Sequence, residues 1–193
     1  LLNPIKNDKE IGLEEINYHP SYDLKTNKKN PNHRELIKFI NNINSKTGSE
    51  FISYIENNFD VDRFLKYIAI NSYLGNPDDY RSNGNNYYLY QDNAKKWHMI
   101  PYDYDHSIGV GWNPTGDYTI NSDVLTWFNV SGGYVVLWDK IIRVEKFKNR
   151  YYEIINEIYE SKYFTFNNFY NTYTEIRDLY KPYIHDALSN VDF

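Results

Sequence analysis

Residues 76–109 read Asn76-Pro77-Asp78-Asp79-Tyr80-Arg81-Ser82-Asn83-Gly84-Asn85-Asn86, then Tyr87-Tyr88-Leu89-Tyr90-Gln91, then Asp92-Asn93-Ala94-Lys95-Lys96, then Trp97-His98-Met99-Ile100, and finally Pro101-Tyr102-Asp103-Tyr104-Asp105-His106-Ser107-Ile108-Gly109. An acidic, Asn-rich loop enters a run of aromatic and branched residues. A polar turn follows, a second such run returns, and a second acidic loop closes the unit. The pattern predicts a β-hairpin that delivers two acidic loops to one place. Carboxylate and amide oxygens are the ligands that hard cations such as magnesium take. Phosphoryl transfer uses the same parts, with one Asp to orient the acceptor hydroxyl and an Asn and an Asp to hold metal.

Upstream, Asp60 is a candidate N-cap for a helix through Phe64, Leu65, Ile68, Ala69, Ile70 and Leu74. Apolar residues on most of its sides predict a central, buried helix. Gly75 is placed to stop it, with Pro77 just beyond. Before this, Asn32 and Glu35 resemble a capping box for a helix carrying Leu36, Ile37, Phe39, Ile40 and Ile43. Gly48-Ser49 is expected to break that helix from a shorter one marked by Phe51, Ile52 and Ile55. Helical patterns return over residues 135–142, 146–160 and 167–188, the last with Thr165 as a candidate cap, and residues 109–133 read as an ordered loop or lid. The expected fold class is α+β, helix-rich, with one small hairpin carrying the acidic loops.

Composition narrows the function. The chain has 193 residues, enough for one domain with a core. It contains no cysteine, so disulfides and thiolate-held metals are excluded. A net charge of −5 argues against nonspecific nucleic-acid binding and permits a basic protein partner. No apolar run approaches a membrane span, so no membrane partner is expected. The 21 tyrosines, with abundant Asn, Lys and Ile, are what an AT-rich genome produces, so no ring-lined glycan or nucleotide surface is read from them.

Among the acidic residues, Asp78 is the candidate catalytic group, on a loop just after the buried helix. Asn86 directly precedes the first strand and can offer metal its carbonyl oxygen or brace the loop; Asn83 and Asn85 compete for that place. Asp103 and Asp105 stand two apart, and in an extended segment both carboxylates would face one cation. Asp79, Arg81 and His106 are weaker candidates: Arg81 for phosphate or for Asp79, His106 for phosphate or for the loop backbone. The five histidines lack metal-ligand spacing, and neither a Ser-His-Asp pattern nor a Gly-x-x-x-x-Gly-Lys loop is present.

The order of parts is informative. Buried helix, acidic loop, Asn, strand, turn, strand and Asp follow one another as in the C-lobe of protein kinases. The kinase loop has four residues between its Asp and Asn. Asn83 keeps that spacing from Asp78, whereas Asn86, with seven residues between, keeps the topology by immediately preceding the strand. Asn86 is favoured on that ground.

At these residues the chain resembles the CotH family, the spore-coat protein H kinases. The matching stretches are Gly75-Asn76-Pro77-Asp78, Asn83-Gly84-Asn85-Asn86-Tyr87-Tyr88-Leu89-Tyr90 and Ile100-Pro101-Tyr102-Asp103-Tyr104-Asp105-His106-Ser107-Ile108-Gly109. Segments 22–27 and 59–65 resemble the family as well. Members usually carry Pro-Trp-Asp where Pro101-Tyr102-Asp103 stands here, a mild exchange of one ring for another. The resemblance implies an atypical protein-kinase-like fold and ATP-dependent transfer of phosphate to Ser/Thr-rich proteins, including basic coat proteins. It implies Asp78 as the catalytic residue and Asn86, Asp103 and Asp105 as the metal-binding set, with Mg2+ or Mn2+ and ATP as cofactors. It also points to a spore coat, extracellular or cell-surface location.

Family members carry a strand-rich N-lobe, and no comparable run of strands precedes Asn32. Residues 1–31 are therefore expected to be an irregular lead-in and 32–193 a kinase-like C-lobe, a fragment whose ATP site is incomplete without the N-lobe. Leu1 in place of a methionine fits a preceding segment. Two other classes compete. One is a non-catalytic coat or surface protein that retains the fold. The other is a metal-dependent glycosyltransferase using Asp103 and Asp105, which the lack of alternating strands and helices disfavours. A calcium-stabilised glycan-binding module is disfavoured by the helix-rich pattern.

Overall fold

The computed structural model describes residues 22–30, 32–81, 84–109, 123–125 and 135–183. The expected lid over 109–133 lies almost wholly outside the described residues, as do Asn83 and the end of the last helical pattern. Residues 22–30 run as turns and bends, without helix or strand. The remaining described residues form α1 (Arg34–Ser45), α2 (Gly48–Asn58), α3 (Val61–Tyr73), β1 (Tyr87–Gln91), β2 (Trp97–Pro101), α4 (Val136–Ile142), α5 (Glu145–Glu160) and α6 (Phe166–Tyr180). Short 3-10 turns flank α6 at Lys162–Phe164 and Lys181–Tyr183. The fold is α+β, helix-rich, with a two-stranded antiparallel sheet.

Local chemistry sets most boundaries. Asp60 caps α3, its Oδ1 accepting from the Arg63 amide at 3.2 Å. Thr165 caps α6 in the same way through the Asn168 amide. Two boundaries differ from expectation. His33, not Asn32, is the N-cap of α1, and Asn32 Oδ1 instead accepts from Arg34 N at 3.0 Å, so no Asn32–Glu35 capping box forms. Gly48 and Ser49 open α2 rather than separating it from α1. The break falls at Lys46 and Thr47, both extended, while Gly48 takes φ +51°, which a residue with a Cβ enters only at a cost.

Helix α3 is the centre of the core. Phe64, Leu65, Ile68 and Ala69 are fully buried. They pack between α5, which supplies Tyr151, Ile154, Ile155 and Ile158, and the inner face of the hairpin, where Met99 is fully buried. Aromatic edges lock the layers together: Phe64 meets Tyr80 at 5.9 Å and Trp138 at 6.3 Å, and Trp138 meets Tyr151 at 5.5 Å. Burying one such ring contributes about 2–3 kcal/mol. Lys140 on α4 reaches the C-terminal end of α1, donating to the carbonyls of Ile43, Asn44 and Lys46 at 2.6–3.1 Å. A cation there satisfies carbonyls left without helical partners and opposes the negative end of the helix dipole.

The hairpin pairs Tyr87 with Pro101, Leu89 with Met99 and Gln91 with Trp97. Tyr87 and Leu89 turn toward the core, while Tyr88 and Tyr90 face outward, as period-2 alternation requires. Its turn end is fastened to the start of α3. The Asp60 amide donates to Trp97 O at 2.9 Å, and Asp60 Oδ2 lies 3.0 Å from His98 Nδ1. The strands therefore have a fixed register relative to α3, and the two acidic loops emerge beside its C-terminus.

Candidate functional site

Helix α3 ends in a Schellman motif. Gly75, at φ +63°, donates to Ser72 O, and the Asn76 amide reaches back to Asn71 O at 2.9 Å. The chain then runs through residues 75–81, all buried, so this loop is held like core. A buried backbone must find partners for its polar groups. Asn71 and Asn76 supply several. Asn71 Nδ2 donates to Tyr67 O, Asn76 Nδ2 to Asn71 Oδ1 at 2.8 Å, and Asn76 Oδ1 accepts the Asp78 amide at 3.0 Å. The Tyr80 amide donates to the Tyr67 hydroxyl at 3.1 Å. Burial pushes the Tyr67 phenol well above its usual range, and nearby Asp79 adds to the shift, so the hydroxyl stays neutral.

Asp79 and Arg81 form a buried ion pair, both side chains fully shielded from solvent. Arg81 Nε donates to Asp79 Oδ2 at 2.8 Å, its amide donates to Asp79 Oδ1 at 2.8 Å, and Nη1 meets Ser72 Oγ at 2.6 Å. Of the two roles open to Arg81, the structure selects the bond to Asp79. Asp79 is correspondingly enclosed and does not face the candidate site.

Asp78 is 8 % exposed. Asn86 Nδ2 donates both to its Oδ2, at 2.8 Å, and to its backbone carbonyl, at 2.9 Å. Asn86 adopts φ +58°, a conformation asparagine tolerates better than most residues. Its carbonyl accepts the Tyr102 amide at 3.1 Å, which carries the hairpin pairing one step toward the second acidic loop. In this arrangement the Asn86 amide nitrogen braces Asp78, and Asn85 is exposed in the same loop.

The second loop is tied to the same helix end. The Ile108 amide donates to Leu74 O at 2.8 Å, the Ser107 amide to Tyr104 O at 3.0 Å, and the Tyr104 hydroxyl shares a hydrogen bond with Asn71. Asp103 has φ +54°, so the segment is not extended there. Its Oδ1 accepts the Asp105 amide at 3.3 Å. The expected common orientation of Asp103 and Asp105 therefore does not hold. Instead one ligand atom each from Asp78, Asp105 and His106 lie within 4.8 Å of one another. His106 Nε2 stands 3.8 Å from Asp105 Oδ1. Ile108 takes φ +57° although it is β-branched and remains exposed, a strained conformation held by the bond to Leu74.

Both acidic loops thus meet at the end of α3, with Asp78, Asn86, Asp105 and His106 in one cluster and Asp103 at its edge. Two carboxylates and an imidazole at this spacing can share one divalent cation, since ligand atoms around such an ion sit about 2.0–2.3 Å from it. Beside the cluster runs a groove of about 530 Å³ lined by Tyr73, Leu74, Ile108, Phe164, Phe166 and Phe169. The residues that position the cluster, Tyr67, Asn71, Ser72 and Asn76, were not singled out from sequence. For Tyr67, Asn71 and Ser72 the signal was polar side chains in the last turns of an otherwise apolar helix; Asn76 lies just past its end.

A helix-rich lobe whose hairpin joins two acidic loops is the class of protein defined here. The CotH kinase protein family model matches residues 4–191, and the chain belongs to that family. No curated protein and no solved structure matches the chain.

Proposed function

We propose that this chain is the metal-binding and acceptor-orienting lobe of an ATP-dependent phosphotransferase acting on Ser/Thr-rich protein. Membership of a kinase family supports the class of reaction at the family level. The observation that carries the residue roles is the joining of Asp78, Asp105 and His106 at one point, with Asn86 holding the Asp78 carboxylate.

Asp78 orients the acceptor hydroxyl and takes its proton as the oxygen attacks the γ-phosphorus of ATP, while the bond from that phosphorus to the β-phosphate oxygen breaks and ADP leaves. A carboxylate fixed by Asn86 loses little freedom in doing so, which is where positioning contributes to rate. Asp105 and His106 would hold the cation, with Asp103 and Asn86 bracing the ligands and adding oxygen donors at the edge. The donor set fits Mg2+ or Mn2+, and the imidazole nitrogen makes Mn2+ the better match. When bound, the cation supplies charge neutralisation of the ATP phosphates. ATP itself requires further phosphate contacts, which an N-lobe would provide; the described part of this chain shields Arg81 from that task.

The test is transfer of labelled phosphate from ATP to a Ser-rich basic peptide by the protein with its upstream lobe, with Mn2+ calorimetry on the same samples. Asp78→Asn should lower transfer by about 100-fold or more, and because Asp78 is one of the three groups within reach of a shared cation it should weaken Mn2+ binding as well. Asp105→Asn should lower both. Equal transfer by wild type and both variants would reject the roles, and absence of transfer in a folded, Mn2+-binding protein would favour a structural role.

A further inference from the structure

A chain of buried hydrogen bonds leaves the first acidic loop and crosses the core. Arg81, paired with Asp79, sends Nη1 to Ser72 Oγ on α3 at 2.6 Å. Ser72 Oγ lies 3.2 Å from the hydroxyl of Tyr151 on α5, and that hydroxyl donates to Val124 O at 2.8 Å. A guanidinium only donates and a backbone carbonyl only accepts. One direction therefore satisfies every link: Arg81 to Ser72, Ser72 to Tyr151, Tyr151 to Val124. All three side chains are buried, which strengthens each bond. Burial also pushes the Tyr151 phenol up, so the hydroxyl keeps the proton that it donates. Val124 is thereby tied, through two helices, to the loop that carries Asp78. It is also one wall of the groove beside the cluster, together with Leu74, Gly75, Ile108, Phe166 and Phe169. Gly75 precedes Asp78 by three residues and Ile108 follows His106 by two. Three residues span at most about 11 Å, so the groove wall lies within that distance of Asp78. Ile108 stands there in its left-handed conformation with its side chain exposed, and strain of that kind gathers at ligand clamps.

We infer that Tyr151 is a positioning residue: it holds the Val124 wall of an acceptor subsite, and that subsite takes an apolar side chain lying close to the Ser or Thr of the acceptor protein. The inference rests on the phosphotransferase reading of the site, and charge selects the occupant. Transfer brings two substrates to the cluster, ATP and a protein. The described residues that line the groove include no charged side chain. A triphosphate would leave its anionic oxygens without a cation there. An apolar side chain instead exchanges water for the exposed rings of Phe166 and Phe169. An extended acceptor covers the distance from Asp78 to the groove in about three or four residues. Tyr151 does not touch the acceptor. It acts through Val124, whose carbonyl loses its bond to α5 when the hydroxyl is removed.

The test reads binding as well as turnover, so the two readings fail separately. The probes are fluorescent peptides of Lys and Gly around a single Ser, one without Phe and the rest with a Phe placed in turn at each position up to about four residues from the Ser. Anisotropy with the protein and its upstream lobe, in Mn2+, should show one register binding at least about 10-fold tighter than the Phe-free peptide. Tyr151→Phe keeps the ring against Trp138 and removes only the hydroxyl, so its circular dichroism spectrum should match wild type. It should reduce the preference to about 2-fold or less, with Mn2+ affinity unchanged. Phe169→Ala, on the exposed wall, should do the same without disturbing the core. In transfer assays both variants should raise KM for the Phe peptide by about 5-fold or more and leave KM for ATP unchanged. A merely structural role for Tyr151 would weaken every ligand alike. Equal binding in every register, or a preference that survives either variant, would overturn the inference, while transfer to the Phe-free peptide would still uphold the phosphotransferase. A preference lost in both variants, in a protein that transfers no phosphate, would uphold the groove as a peptide site and overturn the phosphotransferase reading.

Discussion

The buried pair of Asp79 and Arg81 allows a quantitative test of how the candidate site is held. Asp79→Ala removes the carboxylate that meets Arg81 at 2.7 Å through Nη2 and 2.8 Å through Nε, and also the Oδ1 that accepts the Arg81 amide at 2.8 Å. The guanidinium then stays in a fully shielded site, still in contact with Ser72 Oγ but without the carboxylate it meets through two nitrogens. Breaking a buried pair in this way costs about 3–5 kcal/mol. A domain of this size is held by about 5–15 kcal/mol, so the loss is a large share of the whole. With a urea slope of about 2 kcal/mol per molar, the unfolding midpoint should fall by about 2 M. Replacing both partners, Asp79→Leu with Arg81→Met, removes both buried charges and should recover more than half of that loss. The assay is urea unfolding followed by tyrosine and tryptophan fluorescence, run as a double-mutant cycle. A midpoint shift below about 0.5 M for Asp79→Ala would refute the reasoning. So would an Arg81→Met variant with unchanged stability but weakened ATP binding, because Arg81 would then be a phosphate contact.

Two further outcomes follow from named features. Gly75 ends α3 at φ +63°, so Gly75→Ala should cost about 1–2 kcal/mol in the same unfolding assay, and Gly75→Asn less, because asparagine tolerates that conformation. The hydrogen bond from Lys66, joined by Arg150, holds the Asp62 carboxyl below the usual carboxylate range. A depressed folded value stabilises above the unfolded pKa of about 3.9 and is lost as pH falls through the folded value. Wild-type stability should therefore decline more steeply than that of Asp62→Asn below about pH 4, by no more than about 0.5 kcal/mol for so exposed a side chain, as urea midpoints against pH would read.

Much of the fold was legible along the chain because its signals are local. The Asp60 cap, the Gly75 stop before Pro77, and the alternation of Tyr87 to Gln91 each depend on chemistry within a few residues. The two misplaced boundaries were local too, and turned on which of two adjacent residues carries a cap or a positive φ. The presence of two oxygen-rich clusters joined by a hairpin could also be read directly, since a hairpin of this length must return its ends to one place.

Which groups face one another could not be read in that way. The turn at Asp103 is left-handed, and Ile108 is pinned to Leu74 O, a bond that exists only once α3 and the hairpin have docked. Those two facts put Asp105 and His106, rather than Asp103, beside Asp78. The fate of Arg81 was decided by burial: a fully shielded charge must pair with a carboxylate at hand, whatever its reach would allow in solution. The helical pattern of α6 stood in the sequence throughout, but that its Phe166 and Phe169 line a groove with Tyr73, Leu74 and Ile108 is a property of the assembled chain. Sequence determined which residues could cap, turn, alternate and ligate. Tertiary structure decided which did, because side-chain direction and desolvation depend on segments brought together from far along the chain.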